Sequence, residues 1–206
     1  MKFTNNIIII AIVAMMMMNY NVVDASSYVS IQEFPDNNCT GEYFAQNYAI
    51  VGTCNQGAMY SCDGVTATRT MYKNDDCSGS SWQQQSYNIG QCTGFPELDQ
   101  VGYTIWECVD NYTIPANSSN TIVYLGSCET PWNENPVLWV NALKNNHCFP
   151  QTGIPPGSGM VRCKNNKGLM DFTYPQRGCK GQPETDFEPF QKYCNGDIAH
   201  DFVCTH

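Results

Sequence analysis

The first apolar stretch, Ile7 to Met18, runs for twelve residues without a polar interruption. After it the pattern changes to short apolar runs separated by clusters of Asn, Asp, Gly, Ser and Pro. The runs VTATRTMY (65–72) and GLMDFTY (168–174) are rich in β-branched and aromatic side chains, the mark of a strand. Others lead straight into a cysteine: AMYSC (58–62), YTIWEC (103–108), TIVYLGSC (121–128), GMVRC (159–163) and DFVC (201–204). Turn signals recur every eight to twelve residues or so, which is the all-β spacing. The pattern predicts antiparallel strands with little helix. One stretch departs from it. Val137, Val140 and Leu143, with Leu138 and Ala142 beside them, have helical spacing and predict one short helix near 136–144, starting at Pro136. The alternative there is a long covered loop.

A phrase recurs along the chain. FPDNNCTG (34–41), YKNDDCSG (72–79) and YPQRGCKG (174–181) each place an aromatic five residues before a cysteine and a glycine two after it. A further cysteine follows at a step of fifteen residues: Cys39 to Cys54, Cys77 to Cys92, Cys179 to Cys194. The Asn, Asp, Pro and Gly of the phrase are turn chemistry, so a strand should end at the aromatic and the chain reverse at the cysteine. The repeating unit reads as strand, turn with cysteine, loop, strand with cysteine, strand with cysteine. Four such units can be written, the third irregular. Bridges closing each step, Cys39–Cys54, Cys77–Cys92 and Cys179–Cys194, are the most economical pairing. The rival is that the first cysteine of one unit staples a strand of another.

The opening run fits a secretory signal peptide cleaved after Ala25. As a helix, twelve residues rise only about 18 Å against about 30 Å of hydrocarbon, which disfavours a membrane anchor. The expected organisation is a signal peptide over 1–25, a first cysteine-rich half over 26–110 and a second over 111–206, the two halves being either separate or one continuous domain. Ten basic and nineteen acidic side chains give a net charge of −9. An acidic surface repels phosphate backbones, so nucleic acid is not an expected partner, and no membrane span is expected.

Twelve cysteines, an even number in a chain addressed to an oxidising compartment, predict disulfides. They are Cys39, Cys54, Cys62, Cys77, Cys92, Cys108, Cys128, Cys148, Cys163, Cys179, Cys194 and Cys204. None are spaced as zinc ligands, and neither a metal nor a cofactor is expected.

Catalytic signals are weak. Asp197, His200 and Asp201 read as a metal or acid–base cluster, or more blandly as a polar turn between Cys194 and Cys204. Ser158 in PPGSGM lacks nucleophile-elbow spacing. No catalytic residue is assigned. Asn38, Asn111 and Asn117 open N-glycosylation sequons, the cysteine in the middle of the first weighing against it. Trp82, in the polar stretch SGSSWQQQS, is the candidate for stacking on a sugar.

The order YKNDDCSG, YNIGQC, MYSC resembles the small secreted cysteine-rich proteins of social amoebae. The resemblance implies a secreted protein and transfers no functional residue. The reading is therefore a secreted, disulfide-stabilised, N-glycosylated, non-enzymatic protein. It would act by binding an extracellular protein or glycan, or as an extracellular structural component. A carbohydrate-binding lectin is the alternative and a secreted hydrolase the second alternative.

Overall fold

A computed structural model describes residues 28–94, 102–126, 131, 134–151, 157–164, 167–195 and 198–206. Apart from a single residue in a 3₁₀ turn, their regular structure is β. The first half gives β1 (Tyr28–Phe34), β2 (Ala45–Ile50), β3 (Cys54–Asn55), β4 (Ala58–Cys62), β5 (Thr66–Tyr72), β6 (Ser81–Asn88), β7 (Thr93–Gly94) and β8 (Tyr103–Val109). The second gives β9 (Ser118–Leu125), β10 (Val137–Lys144), β11 (Cys148–Gln151), β12 (Gly157–Cys163), β13 (Gly168–Tyr174), β14 (Glu184–Pro189), β15 (Tyr193–Asn195) and β16 (Ile198–Cys204). One sheet of eight strands runs β15-β16-β9-β10-β2-β1-β8-β7, and two sheets of four run β3-β4-β5-β6 and β11-β12-β13-β14. Each half thus lends four strands to the large sheet and builds one small sheet of its own.

The helix expected near 136–144 is strand β10. It lies in the centre of the large sheet and pairs with both β9 and β2. Leu138, Val140 and Ala142 are at most 1% exposed on one face, and Trp139, Asn141 and Leu143 are half-buried on the other, so both faces are covered. A strand covered on both faces loses its two-residue alternation and reads as a continuous apolar run, which spacing alone does not distinguish from a buried helix.

The recurrent phrase marks one local structure. β1, β5 and β13 end at its aromatics, Phe34, Tyr72 and Tyr174. Cys39, Cys77 and Cys179 then turn the chain at φ 49°, 58° and 54°. That left-handed conformation costs an L residue about 1–2 kcal/mol and must be held. Asp36 holds the first turn, its carboxylate accepting the N–H groups of Asn38, Thr40 and Gly41. The Ser158 hydroxyl holds the third, accepting from Cys179 N at 2.7 Å.

The expected local bridges do not form. The disulfides are Cys39–Cys92, Cys54–Cys77, Cys62–Cys108, Cys148–Cys179 and Cys163–Cys204, and Cys194 is bonded too. The reason is in the sheets: Cys77 and Cys179 turn back onto strands β3 and β11, Cys39 meets the loop after β6, and Cys62–Cys108 and Cys163–Cys204 each join a strand of a small sheet to one of the large sheet. Cys128 lies outside the described residues. Counted in chain order, the first six cysteines pair first to fifth, second to fourth and third to sixth. In the second six, Cys148–Cys179 and Cys163–Cys204 repeat the second-to-fourth and third-to-sixth pairings. The unit is therefore six cysteines repeated twice rather than three repeated four times.

The ladder registers align the two copies residue by residue. Val29 faces Cys108 as Ser119 faces Cys204, so Ile31 corresponds to Thr121 and Glu33 to Val123. Ile31 faces Asn47 and Trp106, while Thr121 faces Asn141 and Phe202. Asn47 therefore corresponds to Asn141 and Trp106 to Phe202. Asn47 and Asn141 face each other where β2 meets β10, so a pseudo-two-fold axis passes between these two asparagines. Both small sheets pack on the face of the large sheet that carries this row. Cys62–Cys108 staples one and Cys163–Cys204 the other.

Candidate functional site

A cleft opens between the first small sheet and the large sheet, beside the pseudo-two-fold axis. Its floor is the central ladder row, where Ile31, Asn47 and Asn141 stand on adjacent strands. Its roof is Tyr60 of β4 and Arg69 of β5, which face each other in register. Trp139 of β10 closes one side. The hollow measures about 220 Å³. It adjoins a second of about 340 Å³, bounded by the same Tyr60, Arg69 and Trp139 and reaching Asn55, Met71 and His200.

The aromatic wall is preorganised. Trp106 is 1% exposed, stacks on Tyr87 at 4.1 Å between ring centres and 5° between planes, and donates its Nε1–H to Thr104 Oγ1 at 2.9 Å. Tyr60 rests on Trp106 at 6.3 Å and meets Trp139 at 5.9 Å and 44°. Trp139 is only half-buried and lines both hollows.

The polar floor holds an unusual group. Asn47 is 4% exposed. Its Nδ2 donates to Glu33 Oε1 at 2.6 Å, while its Oδ1 has no hydrogen-bond partner among the described residues. A buried acceptor left in that state costs about 1–3 kcal/mol, an expense a binding site recovers when its ligand arrives. Burial pushes the Glu33 carboxyl above the usual carboxylate range, and the bond from Asn47 pulls it partly back. At the outer end His200 stacks on Tyr193 at 4.2 Å, and burial holds its imidazole below the ordinary value.

Another hollow of about 370 Å³, by Phe149, Pro150 and Arg177, has a largely apolar and backbone lining. In the second half, a hollow of about 90 Å³ between Thr121, Leu143, Leu169 and Phe202 lies where Ile31, Ala49, Ala67 and Trp106 pack together in the first half. The roof of the cleft is not repeated in the second half. Tyr60 corresponds to Val161, Arg69 to Asp171 and Tyr87 to Glu188, so the aromatic roof is missing there.

The residues singled out from sequence lie elsewhere. Trp82 is 57% exposed on the edge strand β6 and donates to Tyr72 O at 3.2 Å, away from the cleft. His200 and Asp201 do not converge, because successive residues of β16 point to opposite faces. Asp201 instead pairs with Lys192 at 2.7 Å, and the stretch is a strand rather than a polar turn. Asp197 lies outside the described residues. Ser158 Oγ is taken up by Gln176 O and Cys179 N. Asn38, Asn111 and Asn117 are exposed. The cleft residues left a faint signal: AQNYAI and VLWVNALK each carry an asparagine inside an otherwise apolar strand.

These features define a disulfide-stapled, all-β protein of two pseudo-symmetric halves with an aromatic and polar cleft. The chain belongs to the counting factor-associated protein A/B/C family, whose model matches residues 1–204. That family is of the social-amoeba type, in line with the resemblance in the cysteine and turn motifs. The comparisons with curated proteins and with solved structures found no match.

Proposed function

We propose that the chain is a secreted, N-glycosylated, non-enzymatic protein that acts by binding within an extracellular assembly. The observation that carries this reading is the disulfide frame. Five bridges hold α-carbons 5.7 to 6.1 Å apart, inside the normal range of about 4.4–6.8 Å, and no cysteine is free among the described residues. Such density belongs to an oxidising, extracellular setting. The apolar leader Ile7–Met18 and the exposed sequons support the same address. The family description associates its members with counting factor, and we extend that association to this chain as its protein partner.

Material collected from the medium of expressing cells tests the reading. The mature protein should start at or near Ser26, show no alkylated cysteine without reduction, and lose mass on treatment with an N-glycosidase. It should also co-fractionate with counting factor. Retention inside the cell, or two or more alkylated cysteines, would overturn the secreted, disulfide-bonded reading. Release of free sugar from a polysaccharide by the purified protein would overturn the non-enzymatic one.

A further inference from the structure

We propose that the cleft between the first small sheet and the eight-stranded sheet binds an uncharged sugar, one per chain. Trp139 is the stacking platform, and Asn47, Asn141, Glu33 and Arg69 are the polar contacts. This goes beyond membership of an extracellular assembly and stands whether or not a protein partner is found.

The polar groups select the ligand class. Asn47 is 4% exposed and its Oδ1 has no partner among the described residues, so it calls for a donor from the ligand. Glu33, held beside it by the 2.6 Å bond, offers a second acceptor in either protonation state. Arg69, on the roof, offers only donors. Asn141, across the axis from Asn47, offers both kinds. A ligand must therefore donate and accept from neighbouring atoms. Vicinal hydroxyls do this, since each hydroxyl carries one donor and two lone pairs. An ammonium group would meet the Arg69 guanidinium. A carboxylate or phosphate would approach Glu33 on a chain of net charge −9.

The aromatic groups agree with that choice. A pyranose has an apolar C–H face, and a ring with one open side packs against it. Trp139 is such a ring, half-buried and lining both hollows. The inner hollow, about 220 Å³, suits one sugar ring. The adjoining 340 Å³ lets a second ring extend toward His200. Together they fall within the scale of ligand clefts, about 300–1,000 Å³. At the corresponding positions of the second half, Val161 and Asp171 replace Tyr60 and Arg69, and Ala45 stands where Trp139 does, so the stacking platform and the roof donor are both lost. One site per chain follows from that difference.

Calorimetric titration of the intact secreted protein tests this. The neutral probes are the methyl glycosides of glucose, galactose and mannose, N-acetylglucosamine, and the β-linked disaccharides cellobiose, lactose and chitobiose. The charged probes are glucuronic acid and glucosamine. At least one neutral probe should bind saturably at one per chain, with a change in tryptophan fluorescence. Trp139→Ala and Asn141→Ala should each weaken it about tenfold or more. Trp139→Phe should retain part of the affinity, and Trp82→Ala and Asp171→Asn should retain all of it. Near-ultraviolet circular dichroism and the count of intact disulfides show that each variant is folded. Silence from every neutral probe would overturn the proposal. So would binding that survives both cleft variants, binding that needs Trp82, tighter binding of a charged probe than of its neutral counterpart, or two sites per chain.

Discussion

The two halves share a frame and differ in what they cover with it. In the first, Tyr60, Tyr87 and Trp106 form a stacked aromatic cluster between the small sheet and the large one. In the second, the corresponding positions are Val161, Glu188 and Phe202, and Phe202 stacks instead on Phe190 at 5.6 Å. The outer edges differ as well. Strand β6 reads SWQQQSYN without a charge, whereas β14 reads ETDFEP with three acids and a terminal proline. Charges and proline are the ordinary protection of an unpaired strand edge. The lesson is that cysteine positions and strand registers specify the scaffold, while the side chains facing inward were free to diverge. Among the described residues, the aromatic and polar cleft forms under the first small sheet, with Trp139 and Asn141 of the second half completing it.

Substitution of the corresponding aromatics should separate the halves most widely. Trp106→Ala removes a side chain that is 1% exposed and should lower stability by about 3–5 kcal/mol. Phe202→Ala, at a half-buried position, should cost about half as much. Urea midpoints measure both, and equal losses would break the contrast.

Next in size is removal of the bridge that staples each small sheet. The loops closed by Cys62–Cys108 and Cys163–Cys204 span 46 and 41 residues. In the chain-entropy model the double alanine variants should lose about 2–4 kcal/mol each, and nearly the same amount as one another. A large inequality would mean that the common frame does not contribute equally to the two halves.

A smaller effect concerns pH. Burial raises the folded-state value of Glu33, so the folded chain holds its proton more tightly than the unfolded chain does. Stability is then greatest below the ordinary carboxylate value and falls as pH rises through the raised one. Glu33→Gln should flatten that decline in a series of melts, while substitution of its counterpart Val123 should leave it unchanged. An unaltered slope in Glu33→Gln would remove Glu33 as its source.

The smallest effect has the opposite sign. The Ser78 hydroxyl and backbone N–H bond to the Asp76 carboxylate and hold it below the usual range. That contribution is present above the unfolded value and is lost as pH falls through the folded one. In the third copy of the phrase, the turn is YPQRGCKG and has no carboxylate. Asp76→Asn should therefore reduce acid sensitivity at the first half's turn, read by amide exchange at Cys77 and Ser78, with Cys179 as the reference.

Much of this architecture was written in local chemistry. β-Branched and aromatic runs ended at Phe34, Tyr72 and Tyr174 because Asn, Asp, Pro and Gly followed, and turn-forming side chains act within a few residues of themselves. The even set of cysteines pointed to bridges for the same reason, since redox chemistry depends on residue type. Three things depended on tertiary structure. Which cysteines pair follows from strand neighbours, and β10 lies beside β2, nearly a hundred positions away in sequence. The strand at 137–144 was ambiguous because a segment buried on both faces carries no period. The cleft was the least legible. Asn47 and Asn141 meet only where two halves of the chain are hydrogen-bonded, and Tyr60 and Arg69 reach them only when a second sheet folds over. Sequence determines what each side chain can do locally, and packing decides which of them share a space.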